Sequence, residues 1–311
     1  MDGSLDEAKR PGLSPATARE ARAHEATAQE ARAIRLGVVI DGRLDAARAR
    51  QVVTLTDRLG LAGVWWRHPW WPLSGTGTRE TDRAGQLAAL TSSVQVRPGL
   101  VVDADAADPG HEDDAWLDGL VLAAGSSAAR GPAVPRIALA GSSPLVERWQ
   151  GLIGRRPGLA VELALPARDG AASAAAVFVP CAPGRNLTGE VSAAASAAEG
   201  RPVLAEVTVS VGRTAAEARA RADADELFTL AGHPARQGLF GTLEECQATA
   251  AQLAHAGATE LICYLPLASD LPDVLAQLRS IAIGAGVLRP GEPPSAPPPP
   301  PAGWGGRRFT A

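Results

Sequence analysis

The strongest constraint on this chain is an alternation. Between residues 34 and 288, short apolar runs recur, and most are followed by a segment with helical spacing. "IRLGVVI" (34–40) has no polar face, as a strand buried on both sides requires. "RLDAARARQVVTLTDRLG" follows with a helical period, and Gly60 marks its stop. "LAGVWW" (61–66) is a second strand, "TDRAGQLAALTSS" a helix and "VQVRPGLVV" (94–102) a third strand. "PRIALAGSS" (135–143) runs from strand into turn, and "PLVERWQGLIG" opens a helix with Pro144 in its first turn. "LAVELAL", "AAAVFVPC", "RPVLAEVTVSV" and "TELICYLP" supply four more strands. The last third also holds three helices: "TAAEARARADADELFTLAG" capped by Thr214, "TLEECQATAAQLAHAG", and "LPDVLAQLRSIAIG".

Strand-then-helix repeats imply a parallel sheet, because parallel neighbours need a crossover. Eight strands over about 255 residues suit a TIM (β/α)8-type barrel better than an open sheet. A dinucleotide-binding sheet is disfavoured, since "IDGRLDA" and not Gly-x-Gly-x-x-Gly follows the first strand.

Outside this frame the composition changes. Residues 1–33 are rich in Ala, Arg and Glu and bury little, so they read as a peripheral or disordered extension. Residues 289–311 form a Pro-rich tail suited to an extended chain. The barrel is expected over 34–288. A net charge of -4 argues against a nucleic-acid surface, and no apolar run approaches the length of a membrane span. The N-terminus has no secretory h-region, so a cytoplasmic protein is expected. Cys181, Cys246 and Cys263 lack paired spacing and read as reduced, buried thiols. His111, Glu112, Asp113 and Asp114 are consecutive, which makes an acidic loop and not a metal site.

Two blocks resemble the luciferase-like monooxygenase family. One is "RLGVVI…TLTDRLGLAGVWWRHPWW", whose second strand ends in a tryptophan followed by a histidine; Trp65 and His68 take those positions. The other is "VTVSVGRTAAEARARAD…GTLEECQATAAQLAHAGATELICYLP". "LAALTSSVQVRPGLVV" is similar to the family's third strand unit. The resemblance implies a (β/α)8 barrel with a deazaflavin (coenzyme F-420) or FMN at the C-terminal ends of the strands. It implies an oxidoreductase or monooxygenase acting on a small organic substrate, on paired or CH-type donors, and a homodimer. Residues 103–134 lack the family's glycine motif and are too short for its insertion. A barrel abridged or irregular around the fourth strand unit is therefore expected. The rival reading is a non-catalytic abridged barrel serving as partner subunit or ligand-binding module.

Candidate site residues follow from that frame. "WWRHPWW" (65–71) holds four of the seven tryptophans. Trp65 and Trp66 are expected in the core. His68, on the outgoing loop, is the candidate acid, base or orienting group, against a packed histidine. Trp70 and Trp71 are candidates for a substrate-pocket wall or an interface. Arg67 either pairs with a cofactor phosphate or makes a surface salt bridge. Gly141, Ser142 and Ser143, at a strand end and helix start, either bind a cofactor phosphate or simply cap the helix. Thr242 and Glu245 form a capping box, which is sufficient to start the helix; the resemblance implies that Gly241 before it is a peripheral cofactor contact. No metal ligand set is present in the pattern.

Overall fold

The computed structural model describes residues 34–40, 44–68, 96–105, 117, 134–156, 161–167, 174–181, 185–225, 238–266 and 271–284. Its strands are β1 (Arg35–Ile40), β2 (Gly63–His68), β3 (Arg97–Asp103), β4 (Arg136–Ala140), β5 (Glu162–Pro166), β6 (Ala176–Val179), β7 (Val203–Val211), β8 (Leu239–Gly241) and β9 (Glu260–Tyr264). The helices are α1 (Ala46–Arg58), α2 (Ser143–Gly154), α3 (Leu187–Ala197), α4 (Ala215–Asp223), α5 (Leu243–His255) and α6 (Leu271–Gly284).

Strands β1 to β6 pair in chain order, β6 pairs with β7, β7 with β9, and β9 returns to β1. All these pairings are parallel. Eight strands thus close a ring, the (β/α)8 barrel expected. Strand β8 stands outside it, paired with the last residues of the long β7, where Val209 faces Leu239 and Val211 faces Gly241. The ring needs no abridgement: β4 follows β3 in register, with Gly99 opposite Arg136. Of the shortened stretch, residues 103–105, 117 and 134 are described and the others lie outside the described residues.

Two apolar clusters follow from strand alternation. The outer cluster joins outward-facing residues such as Val38, Trp66, Val102 and Leu261 to helix residues such as Val52, Trp149, Leu253 and Leu278. The inner cluster draws on every strand of the ring, with Val39, Trp65, Val101, Ala138, Ala164, Phe178, Leu204 and Ile262. Trp65 and Trp66 are both core, but on opposite sides of the wall. The inner indole needs room. A methyl at Gly99 would lie 2.4 Å from Trp65 and one at Gly37 2.7 Å from its Nε1.

Helix starts follow local chemistry. Asp45, Asn186, Thr214 and Thr242 each accept from a backbone N–H three residues on, and Thr242 with Glu245 completes the capping box. Asn186 opens α3, a helix the sequence pattern did not single out. Residues 226–237 and the expected helix over 81–93 lie outside the described residues. Cys246 and Cys263 are buried, Cys181 is half-buried, and all three are free thiols. No helix among the described residues is long and apolar enough to cross a membrane.

Candidate functional site at the C-terminal mouth of the barrel

Strand parity determines what the mouth contains. With Trp65 inside the barrel, Gly63 and Arg67 face inward too, and Arg67 comes one residue before the end of β2. This corrects the expectation of a strand ending at Trp66 and of a surface salt bridge: β2 runs on to His68, and Arg67 meets the interior. Its Nη2 donates to Asp103 Oδ2 at 3.0 Å, and its Nη1 donates to the Tyr264 hydroxyl at 2.8 Å and to Glu206 Oε1 at 3.3 Å. The Tyr264 hydroxyl donates to the same Glu206 oxygen. Glu206 Oε2 accepts from the Cys181 backbone N–H at 3.0 Å. Strands β2, β3, β7 and β9 thus each place one polar side chain in a single network.

The network is graded from wet to dry. The Asp103 side chain is 31% exposed, that of Arg67 15% and that of Glu206 2%. Burial works against the Arg67 charge, but Tyr264, Glu206 and Asp103 outweigh it and hold the guanidinium more basic than usual. Burial likewise drives the Tyr264 pKa well above its ordinary value; Glu206 adds to this while Arg67 opposes it. Tyr264 therefore remains a protonated donor. Burial, with Glu206 second, pushes the Cys181 thiol up to about 12, which leaves it a poor nucleophile near neutral pH. A rigid, permanently charged guanidinium behind a half-exposed carboxylate can orient a polar ring or substrate at the mouth.

The other candidates among the described residues fall around the same face, since all ring strands are parallel. His68 ends β2 opposite Val102; its side chain lies outside the described residues, as do Trp70 and Trp71. Gly141 follows β4 with φ +125°, and a methyl there would meet Asp105 and Ala104. Ser142 is the N-cap of α2 but makes no side-chain cap bond, and Ser143 begins the helix. The Ser142 N–H donates to Asp105 Oδ1 at 2.8 Å. An internal carboxylate thus holds an amide that a cofactor phosphate would use, and the α2 terminus fits a phosphate only if Asp105 turns away. Gly241, at φ +137°, ends β8; a methyl there would strike Glu245 of the capping box. The backbone by itself accounts for this glycine. Among the described residues no cluster of His, Cys, Asp or Glu could hold a metal ion.

Asp103, Glu206, Tyr264 and Asp105 were not singled out from the sequence. Glu206 carried a signal, because it is a lone carboxylate inside the apolar run "VLAEVTVSV". A charge in a strand buried on both faces requires a buried partner.

No family sequence model matches the chain, and no curated protein matches it in sequence. Solved structures do match in fold. The coenzyme F-420-dependent tetrahydromethanopterin reductase from Methanopyrus kandleri superposes with a TM-score of 0.55 at 10% identity, over 80% of this chain and 98% of that one. EDTA monooxygenase from Chelativorans sp. BNC1 gives 0.52 at 11% identity, over 82% of this chain and 95% of the other. The chain therefore shares the (β/α)8 barrel fold with the reductase and the monooxygenase.

Proposed function

We propose that the protein is an oxidoreductase or monooxygenase of the luciferase-like type, using coenzyme F-420 or FMN at the C-terminal mouth of the barrel on a small organic substrate. The observation that carries this reading is the Arg67–Asp103–Glu206–Tyr264 network, built from four strands on the face where barrel enzymes place their chemistry. When bound, the cofactor supplies hydride transfer or oxygen activation. The chain's own part is to bind, orient and exclude water. Arg67 presents a fixed positive charge, Glu206 and Tyr264 lock its geometry, and Asp103 meets the solvent side. His68, at the end of the same strand, is the proposed acid or base. Trp70 and Trp71 are the proposed pocket wall, and Gly141, Ser142 and Ser143 the proposed phosphate contact, with Gly241 peripheral. A homodimer belongs to the same reading and is checked by light scattering.

The Asp105 contact favours a second reading, a barrel that binds no cofactor phosphate and serves as a partner subunit. Titration calorimetry with FMN and, separately, with coenzyme F-420 decides between the two. Binding of one of them in the micromolar range supports the enzyme; no heat from either at tens of micromolar supports the subunit. Asp105→Asn separates the cases further, because it removes the competing charge and should tighten binding about tenfold.

A further inference from the structure

The N-terminal end of the barrel holds a second polar cluster, outside the proposed site. Glu260 accepts from Arg136 Nη1, pairs with Arg35 Nη2 at 3.4 Å, and accepts from Trp65 Nε1 at 3.2 Å. Arg97 pairs with Glu162 at 2.7 Å. The Arg136 guanidinium stacks on the Trp65 ring, 4.3 Å from its centroid, and Gly63 leaves the room it fills. Three guanidinium groups (Arg35, Arg97, Arg136) thus face two carboxylates (Glu162, Glu260).

Two observations show that this cluster is incomplete. Arg136 is 4% exposed, yet its Nε and Nη2 have no hydrogen-bond partner among the described residues. Beside it is a cavity of about 30 Å3, lined by Arg35, Arg136, Glu162 and the small or apolar residues Ala164, Ala176 and Leu204. A single water needs about 10–15 Å3 of such space, so a small ion fits. A water accepting from Arg136 would have to place two protons of its own, and the acceptor side chain in the lining is Glu162, whose Oε1 is already held by Arg97 at 2.7 Å. A monovalent anion only accepts, and it balances the odd positive charge. Burial already disfavours the charged form of Arg136, and Arg97 and Arg35 add to that penalty, which an anion would offset.

We propose that this cavity is a structural anion site that takes one chloride-sized halide between Arg136 and Arg35. Arg35 is 36% exposed at the barrel's base and provides the route of exchange.

Bromide is the probe. A crystal soaked in sodium bromide should show an anomalous peak within hydrogen-bonding distance of the Arg136 guanidinium. In solution, above the dissociation constant, Tm should rise by about 3 °C for each tenfold increase in bromide. Sodium gluconate at matched ionic strength should give no such slope, because its anion is too large to enter. Ala164→Val, which fills the cavity, should abolish the bromide slope. Should that variant not fold, Arg35→Gln serves instead and should shift the slope to about tenfold higher bromide. Equal slopes in bromide and gluconate would overturn the proposal. So would a peak seen only at soak concentration without a Tm response, or a cavity filled by water.

Discussion

Glu206 and Glu260 meet the same difficulty at opposite ends of the barrel, since each is a carboxylate on an inward-facing strand position with little or no water to solvate it. Glu260 is fully buried, and burial disfavours its charge, but Arg136 and then Arg35 outweigh that and hold its pKa below the usual range. A folded pKa below the unfolded one stabilises the protein above about pH 4.3. That contribution is lost as pH falls through the lower folded value. Melting curves between pH 7 and pH 3 should therefore be flat above about pH 5 and drop below about pH 4. Glu260→Gln should lose about 3–5 kcal/mol at pH 7, because Arg136 is left buried without its partner, and should flatten the acid drop. Tyr264 offers an independent check, as it is the chain's single tyrosine. A spectrophotometric alkaline titration should show no tyrosinate until the protein unfolds; a reversible transition near pH 10 would contradict the buried, Glu206-bonded hydroxyl. Glu206 carried a signal as the lone carboxylate of its apolar run, whereas Glu260 opens its strand and carried none. Strand parity makes them legible, because Leu204 inside the barrel commits Glu206, and Ile262 commits Glu260, to the same face.

At the scale of elements, the eight ring strands were readable because a parallel strand covered on both faces has no polar side to hide its run. Helix α3 was not, since it buries few residues, among them Val191 and Ala194, and its signal lies in the Asn186 cap. Strand β8, three residues long, is too short for any period to show. The glycines of β1 and β3 carry their meaning only in three dimensions. Gly99→Ala would press a methyl into the Trp65 ring and should cost about 1–3 kcal/mol by urea unfolding, whereas a cost near zero would mean that the indole can move aside. Thr242→Ala removes the capping box of α5 and should cost about 1 kcal/mol.

For the whole molecule, closure of the ring turns sequence distance into proximity. Arg67 and Tyr264 are 197 residues apart and share a 2.8 Å hydrogen bond. The alternation of apolar runs announced the barrel, but only the strand order, with β9 and not β8 returning to β1, tells which strand ends meet. Tryptophan density drew notice to "WWRHPWW", and the residue that the fold delivers to the mouth is the arginine within it. The central claim is that this guanidinium helps to hold a cofactor ring there. The direct measurement is the dissociation constant of FMN and of coenzyme F-420 for the wild type and for Arg67→Lys, whose single ammonium cannot serve Asp103, Glu206 and Tyr264 in the fork that arginine makes. The account predicts binding of one cofactor by the wild type and an affinity at least about tenfold lower in a folded Arg67→Lys variant. The same dissociation constant in both proteins, or binding of neither cofactor by the wild type, would contradict it.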